Sequence, residues 1–543
     1  MQDQGKNELA AALVKMTESM GTDRTNFEYV WQQISEFVLP NRGDFLFQRA
    51  KGSRADQRVF DTTAVQANLM LASALHSGLI NPGSTWFSLA TEQPLEFNSY
   101  GVRRWLEDAQ RIMMKTFNSD SSNFYQQAHE LLLDLVAYGT ACMYVDEQPG
   151  EDVRFSTRHL SEIHINENNK GVVDKVIREF EFTARQAAQE WGEENLPDAL
   201  RVSLTTEPNK AFKFLHIVMP RKDAERMGAA ATEGVPNNRD FIGIYVCKEE
   251  KCVMNVAGFY ENPYIVVRWE KLVGEAYGRS PAWNALSDIR MINVMSEVMI
   301  RAAQKQVDPP LLVADDGVIM PLHTRPGGTN VGGVSMDGRP LIQPLQTGGN
   351  LNIGIEMMDQ RRDAIRQAYF VDRFIPKEGT PVSATEFAQN EENGMRLSGP
   401  QPARVQTEFL SKIIDRLFAI LMRAGGFPEV PEELEGQDLK IEYTNPLSKN
   451  QRARELLALN RALQSVGPLI EIDPDLTDVV DGESMFRDAL EISGVRIKNI
   501  RSEEEYAEIR DAKAEAAEQQ QQMAQAQELA GTAGDLKKAG IEL

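Results

Sequence analysis

Between about residues 140 and 270 the apolar residues stop recurring every third or fourth position and gather into short runs: "ACMYVDE", "VVDKVIREFEF", "FKFLHIVMP", "FIGIYVC", "KCVMNVAGF" and "PYIVVRWE". Turn residues separate them, as at "NENNKG" and "CKEEKC". This change of period limits the fold more than any single motif, because runs of strand-type residues between turns do not make an amphipathic helix. Antiparallel strands flanked by helical stretches follow, and the chain reads as α+β and mainly helical.

The flanks carry the other period. In "VRRWLEDAQRIMMKTF", Val102, Trp105, Leu106, Ala109, Ile112, Met113 and Phe117 share one helical face. Before it, Asp61 is placed to cap "TTAVQANLMLASALHSGL", which should stop near Gly78 and the "NPG" at 81–83. Residues 41–58, with five basic and two acidic residues and little periodicity, read as an exposed loop. After the strands, Ser280 followed by Pro281 predicts a helix start, with helix to about residue 306 and "DPP" as its stop. Residues 307–350 are rich in Gly and Pro and predict a strand-and-turn module between helices. The next helix runs from about Ile353 to Val371 and meets "YFVDRFIPKEGTPVSATEF". Beyond it Ser383 and Glu386 are spaced as a capping box, and helical patterning continues to about Ala424. Gly394 and the "SGP" at 398–400 are expected to kink that stretch.

At 543 residues the chain can bury substantial cores, and 42% apolar with 25% charged residues is a globular balance. The most apolar stretch, "LLLDLVAYGTACMYV", contains Asp134 and is too short for a membrane span, and the N-terminus has no secretory pattern, so synthesis in the cytosol is expected. Three cysteines, Cys142, Cys247 and Cys252, argue for thiols rather than a disulfide framework. The formal net charge is −22, and residues 426–543 hold 25 acidic against 13 basic side chains. Such a surface repels a phosphate backbone, which excludes tight nonspecific wrapping of nucleic acid and leaves room for contact without sticking.

No arrangement of residues points to catalysis. Cys247 and Cys252 have neither a second cysteine pair nor a nearby histidine to complete a zinc set, and His159 and His164 lack an H-E-x-x-H frame. "PGGTNVGG" at 326–333 has no following Lys-Ser or Lys-Thr, and no G-x-S-x-G elbow occurs. Asp315 and Asp316 adjoin in a turn and read as solvated acids rather than a two-metal nuclease site. Arg42, Arg49, Lys51, Arg54 and Arg58 form a basic loop that could touch nucleic acid, although a solvated loop or a salt-bridging contact with an acidic neighbour is the preferred reading in so acidic a chain. Met291, Met295 and Met299 follow helical spacing, as a core or subunit-contact stripe does.

The segments "FDTTAVQANLMLASALHSGLINPGSTWFSL", "SNFYQQAHELLLDLVAYGTACMYVDE", "YGRSPAWNALSDIRMINVM" and "SATEFAQNEENGMRLSGPQPARVQTEFLSKIIDRLF" occur in an order that, over nearly the whole chain, resembles the head-to-tail connector, or portal, proteins of short-tailed bacteriophages. The resemblance implies a portal fold. Residues 1–279 would form a wing, 280–306 and 351–371 paired stem helices, and 307–350 a clip. Residues 372–382 would form a tunnel loop, 383–428 a long kinked wing helix, 429–500 a crown, and 501–543 a C-terminal helical barrel or disordered tail. It implies a homo-oligomeric ring, typically of twelve copies, at one capsid vertex, forming the channel for genome packaging and ejection and joining head, motor and tail.

The partners so implied are double-stranded genomic DNA, major capsid and scaffolding proteins, the terminase packaging motor, and the tail adaptor and internal core proteins. The location is the virion, with host cytoplasm during assembly. No catalytic residue, cofactor or metal is implied, since ATP hydrolysis belongs to a separate motor. On this model Asp372, Arg373, Phe374, Lys377 and Glu378 face the channel, and Asp315, Asp316, His323, Arg325 and Arg339 are candidate clip contacts. The alternatives are a tail or adaptor ring protein and a metal-dependent nucleic-acid-processing enzyme.

Overall fold

The computed structural model describes residues 2–47, 49–50, 52–53, 58–91, 100–147, 153–314, 321–345, 351–371, 401–434, 439–443, 482–492, 495 and 499–538. Helices α1 (Gln2–Phe37) and α2 (Thr63–Leu79), strand β1 (Phe87–Thr91), and helices α3 (Tyr100–Phe117) and α4 (Phe124–Tyr138) come first. The strand-rich stretch follows: β2 (Thr140–Asp146), β3 (Arg154–Arg158), β4 (Ile163–Glu167), β5 (Val173–Thr183), α5 (Ala184–Trp191), α6 (Asp198–Thr206), β6 (Ala211–Pro220), α7 (Arg221–Arg226), β7 (Phe241–Cys247), β8 (Cys252–Phe259), β9 (Tyr264–Arg268), β10 (Glu270–Lys271) and β11 (Gly278–Arg279). Then come α8 (Pro281–Val307), β12 (Leu311–Val313), β13 (Ile342–Pro344), α9 (Leu351–Ala368), α10 (Gln401–Val405), α11 (Ser411–Arg423), β14 (Leu439–Tyr443), α12 (Gly482–Ile492) and α13 (Glu503–Lys538).

The chain divides into two compact units, one of residues 1–82 and 116–417, the other of 83–115 and 418–543. In the first, β4 to β8 form a five-stranded antiparallel meander in chain order, and β3-β2-β9 form a second antiparallel sheet. Both faces of the meander are covered, which explains why β6 reads as a near-continuous apolar run. Leu9, Ala10, Leu13 and Val14 of α1 pack on Ile177, Leu215, Ile217, Ile242 and Ile244. Trp191, Leu196 and Leu200, from α5, the turn after it and α6, join Phe180, Phe212 and Phe214 in a separate cluster. Thr183 closes a capping box with Gln186 at the start of α5, fixing the turn from strand to helix.

In the second unit β1 pairs antiparallel with β14, from Phe87↔Tyr443 to Thr91↔Leu439. Trp105 packs on Phe418 and Phe427 with ring centroids 6.3 and 6.0 Å apart, and its indole N–H donates to the Pro428 carbonyl at 3.2 Å. On α3 in this unit Val102, Trp105, Leu106, Ala109 and Met113 are buried as the periodicity predicts, whereas Ile112 is only half-buried.

Three local expectations change. Asp61 is not the cap residue of α2; Thr62 holds that position without a side-chain hydrogen bond, while the Asp61 carboxylate accepts from Thr63 N at 2.9 Å. The stretch 41–47 is not a free loop, because Phe45 inserts against Trp31, Tyr138 and His159 at 5.4, 5.1 and 5.2 Å, and Gln32 Oε1 accepts from its N–H. Helix α9 ends at Ala368 rather than Val371, because Phe370 turns the chain with φ 57°, a left-handed conformation that a bulky residue rarely adopts. The capping box at Ser383 and Glu386, and the kink residues Gly394 and 398–400, lie outside the described residues.

Candidate functional site

Helices α8 and α9 lie antiparallel, with Arg361 paired to Asp288 at 2.9 Å near one end and Gly354 against Met299 nearer the other. A Cβ at Gly354 would meet the Met299 sulfur at 2.6 Å, so the glycine allows the close approach. The base of α8 is pinned by its first residues. Ser280 Oγ accepts from Trp283 N at 3.0 Å and donates to the Ala137 carbonyl at 2.7 Å, so one buried hydroxyl caps α8 and ties it to the end of α4.

That end turns through Gly139, at φ 81°, where a Cβ would sit 2.6 Å from the Arg279 carbonyl carbon. About three turns further along α8, Asn293 Oδ1 accepts from the backbone of Phe60 and Asp61 at 2.9 and 3.2 Å while its amide donates to Ile289 O. Asp61 in turn binds Arg362 of α9 at 2.9 Å. Burial raises the Asp61 pKa, but the Thr63 hydrogen bonds and the Arg362 guanidinium outweigh it, and the net shift is downward. A single carboxylate thereby joins α2 to α9, and Asn293 joins both to α8.

One side of α8 is buried through Ile289, Ile292, Asn293 and Ser296, yet its opposite side exposes Met291, Val294 and Val298. On α9, Ile353, Ile355 and Met357 are exposed as well. The connecting module continues the pattern: Val307 is 87% exposed, and Leu311, Leu312, Val331, Val334, Met336 and Leu345 are all exposed around the β12–β13 pair. Scattered exposed apolar residues are ordinary in a monomer, but a helix with two apolar sides has one still to be covered.

Of the clip candidates, His323, Arg325 and Arg339 have exposed side chains. Their backbones shape turns: Asn330 bridges His323 N and O at 2.6 and 3.1 Å, and Ser335 N donates to Arg339 O at 2.9 Å. Asp315 and Asp316 lie outside the described residues, as do Asp372, Arg373, Phe374, Lys377 and Glu378 of the channel-loop candidate. In the basic loop, Arg42 grips Asp134 through Nε and Nη2 at 2.8 and 3.0 Å and Glu130 at 3.0 Å. Burial disfavours its charge, but Asp134 and Glu130 more than compensate and raise its pKa. Arg49 binds Asp44 at 2.8 Å and Arg58 binds Glu36 at 3.4 Å, while Lys51 and Arg54 lie outside the described residues. The described arginines are thus engaged by acidic neighbours of their own unit.

Among the described residues, no group of three or more His, Cys, Asp or Glu side chains is arranged to hold a metal ion. His159 and Ser161 pair side chain to side chain at 2.7 Å, and His216 shares a hydrogen bond with the Tyr264 hydroxyl at 2.7 Å. Cys247 and Cys252 face each other across the β7–β8 hairpin as thiols. Asn293 and Arg362 are absent from the sequence-based candidates, and Asp61 reads in the sequence only as a cap; Asn293 interrupts the buried face of α8, whereas Arg362 sits in the polar run "DQRRD" and carries no signal of its own.

Paired helices with unpartnered apolar sides, anchored rigidly at one end and joined by a small strand module at the other, define an assembly protomer. The chain belongs to the bacteriophage head to tail connecting protein family, whose model matches residues 10–500. It is 28% identical over 541 residues to the portal protein of Salmonella phage epsilon15, covering 97% of this chain and 95% of that one. It is also 25% identical over 527 residues to the probable portal protein of Bordetella phage BPP-1, covering 95% and 93%. A chain from the virion of a native gene transfer agent particle, 10% identical, covers 74% of this chain and 86% of its own with a TM-score of 0.38, too loose a likeness to carry an argument.

Proposed function

We propose that this chain is the protomer of a portal ring at one capsid vertex, forming the channel for genome packaging and ejection and the platform between head, packaging motor and tail. The observation that carries the reading is the uncovered apolar side of α8 and α9, continued onto the module around β12 and β13. In a closed ring each copy presents one side to the preceding neighbour and another to the following one, so a helix pair apolar on two sides is what a head-to-tail contact requires. Helices α8 and α9 are the stem, residues 307–350 the clip, 372–382 the tunnel loop, 429–500 the crown and 501–543 the tail. Twelve copies form the ring, double-stranded DNA passes through it, and capsid and scaffolding proteins, terminase, tail adaptor and internal core proteins are its partners, first in host cytoplasm and then in the virion. The role is structural, and no bond is made or broken by this chain.

Replacing Val294→Asp together with Val298→Asp puts two charges on the uncovered side without touching the buried one. The ring should fail to form while the far-UV circular dichroism of the protomer stays unchanged. Mass measurement in solution and images of particles viewed down their axis read the outcome; a double variant that still assembles at normal yield defeats the stem assignment. Deleting residues 374–379 should leave the ring intact and lower DNA packaging or retention, and loss of the ring itself would contradict the tunnel-loop assignment.

A further inference from the structure

Between α10 and α11, residues Gln406–Leu410 form a π-helical turn in which Ser411 N donates to Gln406 O, five residues back. Such a turn carries one residue more than α-helix would, and it persists only where side chains hold it. The apolar seam explains part of it. Val405, Phe409, Ile413 and Leu417 are all buried and all four apart. In a regular α-helix each step of four overshoots the turn by roughly 40°, so three steps would carry Val405 about a third of a turn away from Leu417. The extra residue brings the seam back into line.

A second force acts on the same turn. Arg268, at the end of β9 and 3% exposed, donates to Glu408 from Nη2 to Oε1 at 2.9 Å, and from its backbone N and its Nε to Oε2 at 2.9 and 3.3 Å. Its remaining donors reach Glu167 at 2.9 Å and Gly171 O at 2.9 Å, and Lys271 shares Glu167 at 2.7 Å. One buried cation is therefore fully committed, and three of the six hydrogen bonds that Arg268 donates go to Glu408 on the π turn. Below it, Arg416, 2% exposed, fixes α11 by donating to Glu261 O and Oε2 and to Val145 O, each at 3.2 Å. Thus α11 is bolted to the sheet, and what the π turn decides is the orientation of α10.

We propose that residues 406–410 are a two-position register element, held in the π form by Arg268 and Glu408, and that its collapse to α-helix rotates α10 relative to α11. Passing one residue through the turn rotates Gln401–Val405 by roughly 100° and draws it in by about 1.5 Å. The element sets the direction from which the preceding chain enters the long helix, and Arg268 and Glu408 are its positioning residues.

The test is a distance distribution between spin labels at Ala403→Cys and Val172→Cys, two exposed positions of the same unit. It is run on the full chain with Cys252→Ser in the background, the other two cysteines being buried. The parent should show one distance. Glu408→Gln keeps the size of the side chain, removes the charge, and should add a second population. Deleting Thr407, the exposed residue of the turn, removes the extra residue, so the Ser411-to-Gln406 bond then spans four residues and α10 keeps its place; the deletion should show the parent distance alone, and adding it to Glu408→Gln should abolish the second population. A parent-like distance alone in Glu408→Gln overturns the proposal, as does a second population that persists when the deletion is added to Glu408→Gln. Unchanged circular dichroism separates a register change from unfolding, and if the deletion does not fold, Arg268→Lys, which keeps the charge but loses the forked contact, must reproduce the second population.

Discussion

Arg42 reaches across 92 positions of sequence to a carboxylate that is 1% exposed. Removing it by Arg42→Ala strands Asp134 as a buried charge and should destabilise the fold by roughly 3–5 kcal/mol. Arg58→Ala should cost under about 1 kcal/mol, because its pair with Glu36 leaves Arg58 76% exposed and screened by solvent. Chemical denaturation of the two variants side by side checks the contrast. The sequence favoured a solvated or salt-bridged loop for both arginines but named no partner for either, because the partner depends on which helix the loop is folded against. Histidines behave in the same way. Burial, then Arg24 and Lys248, push His164 down to about 3, and burial, then Arg178 and Arg158, do the same to His216. Unfolded, each titrates near 6.5, so between pH 6.5 and about 3 the unfolded chain binds more protons and stability falls as pH falls. A thermal midpoint followed from pH 7.5 to 4 should decline through that window, and His216→Gln should flatten the decline.

Helix α8 was the most legible element, since its start is written locally: Ser280 accepts from Trp283 N, and Pro281 occupies the first turn. Ser280→Ala removes both the cap and the link to Ala137 O, and should cost about 1–2 kcal/mol by thermal denaturation. Gly139→Ala should be worse, because the new Cβ meets backbone rather than a yielding side chain. The end of α9 was misread because nothing in "AYFVD" announces a left-handed Phe370, and the role of Asp61 shifted by one residue because Arg362, 301 positions away, claims one of its oxygens. The π turn had a sequence signal that went unused, the strict four-residue spacing of Val405, Phe409, Ile413 and Leu417.

At the scale of the molecule, every copy carries a formal −22, and assembly brings those charges together. Screening shortens the reach of that repulsion from about 30 Å at 0.01 M salt to about 8 Å at 0.15 M. Rings should therefore lose protomers on dialysis into low salt and recover in 0.15 M salt, as read by sedimentation. The change of period at residues 140–270 announced the meander correctly, whereas the pairing of β1 with β14 was out of reach, because nothing in a five-residue strand names a partner some 350 positions later.

That pairing also has a clock attached to it. Trp86, Phe87 and Trp105 are buried in a unit whose second half begins only at Phe418. At roughly 5–20 residues per second, a ribosome needs about 15–60 s to cover the intervening stretch of about 300 residues. For that time the early segment lacks the half of its unit that begins at Phe418, although the meander is complete once Phe259 has emerged. Cells making this chain must shield residues 83–115 until the last quarter of the chain has emerged, and ribosome-arrested chains should show those residues cut by protease until Tyr443 is outside the exit tunnel.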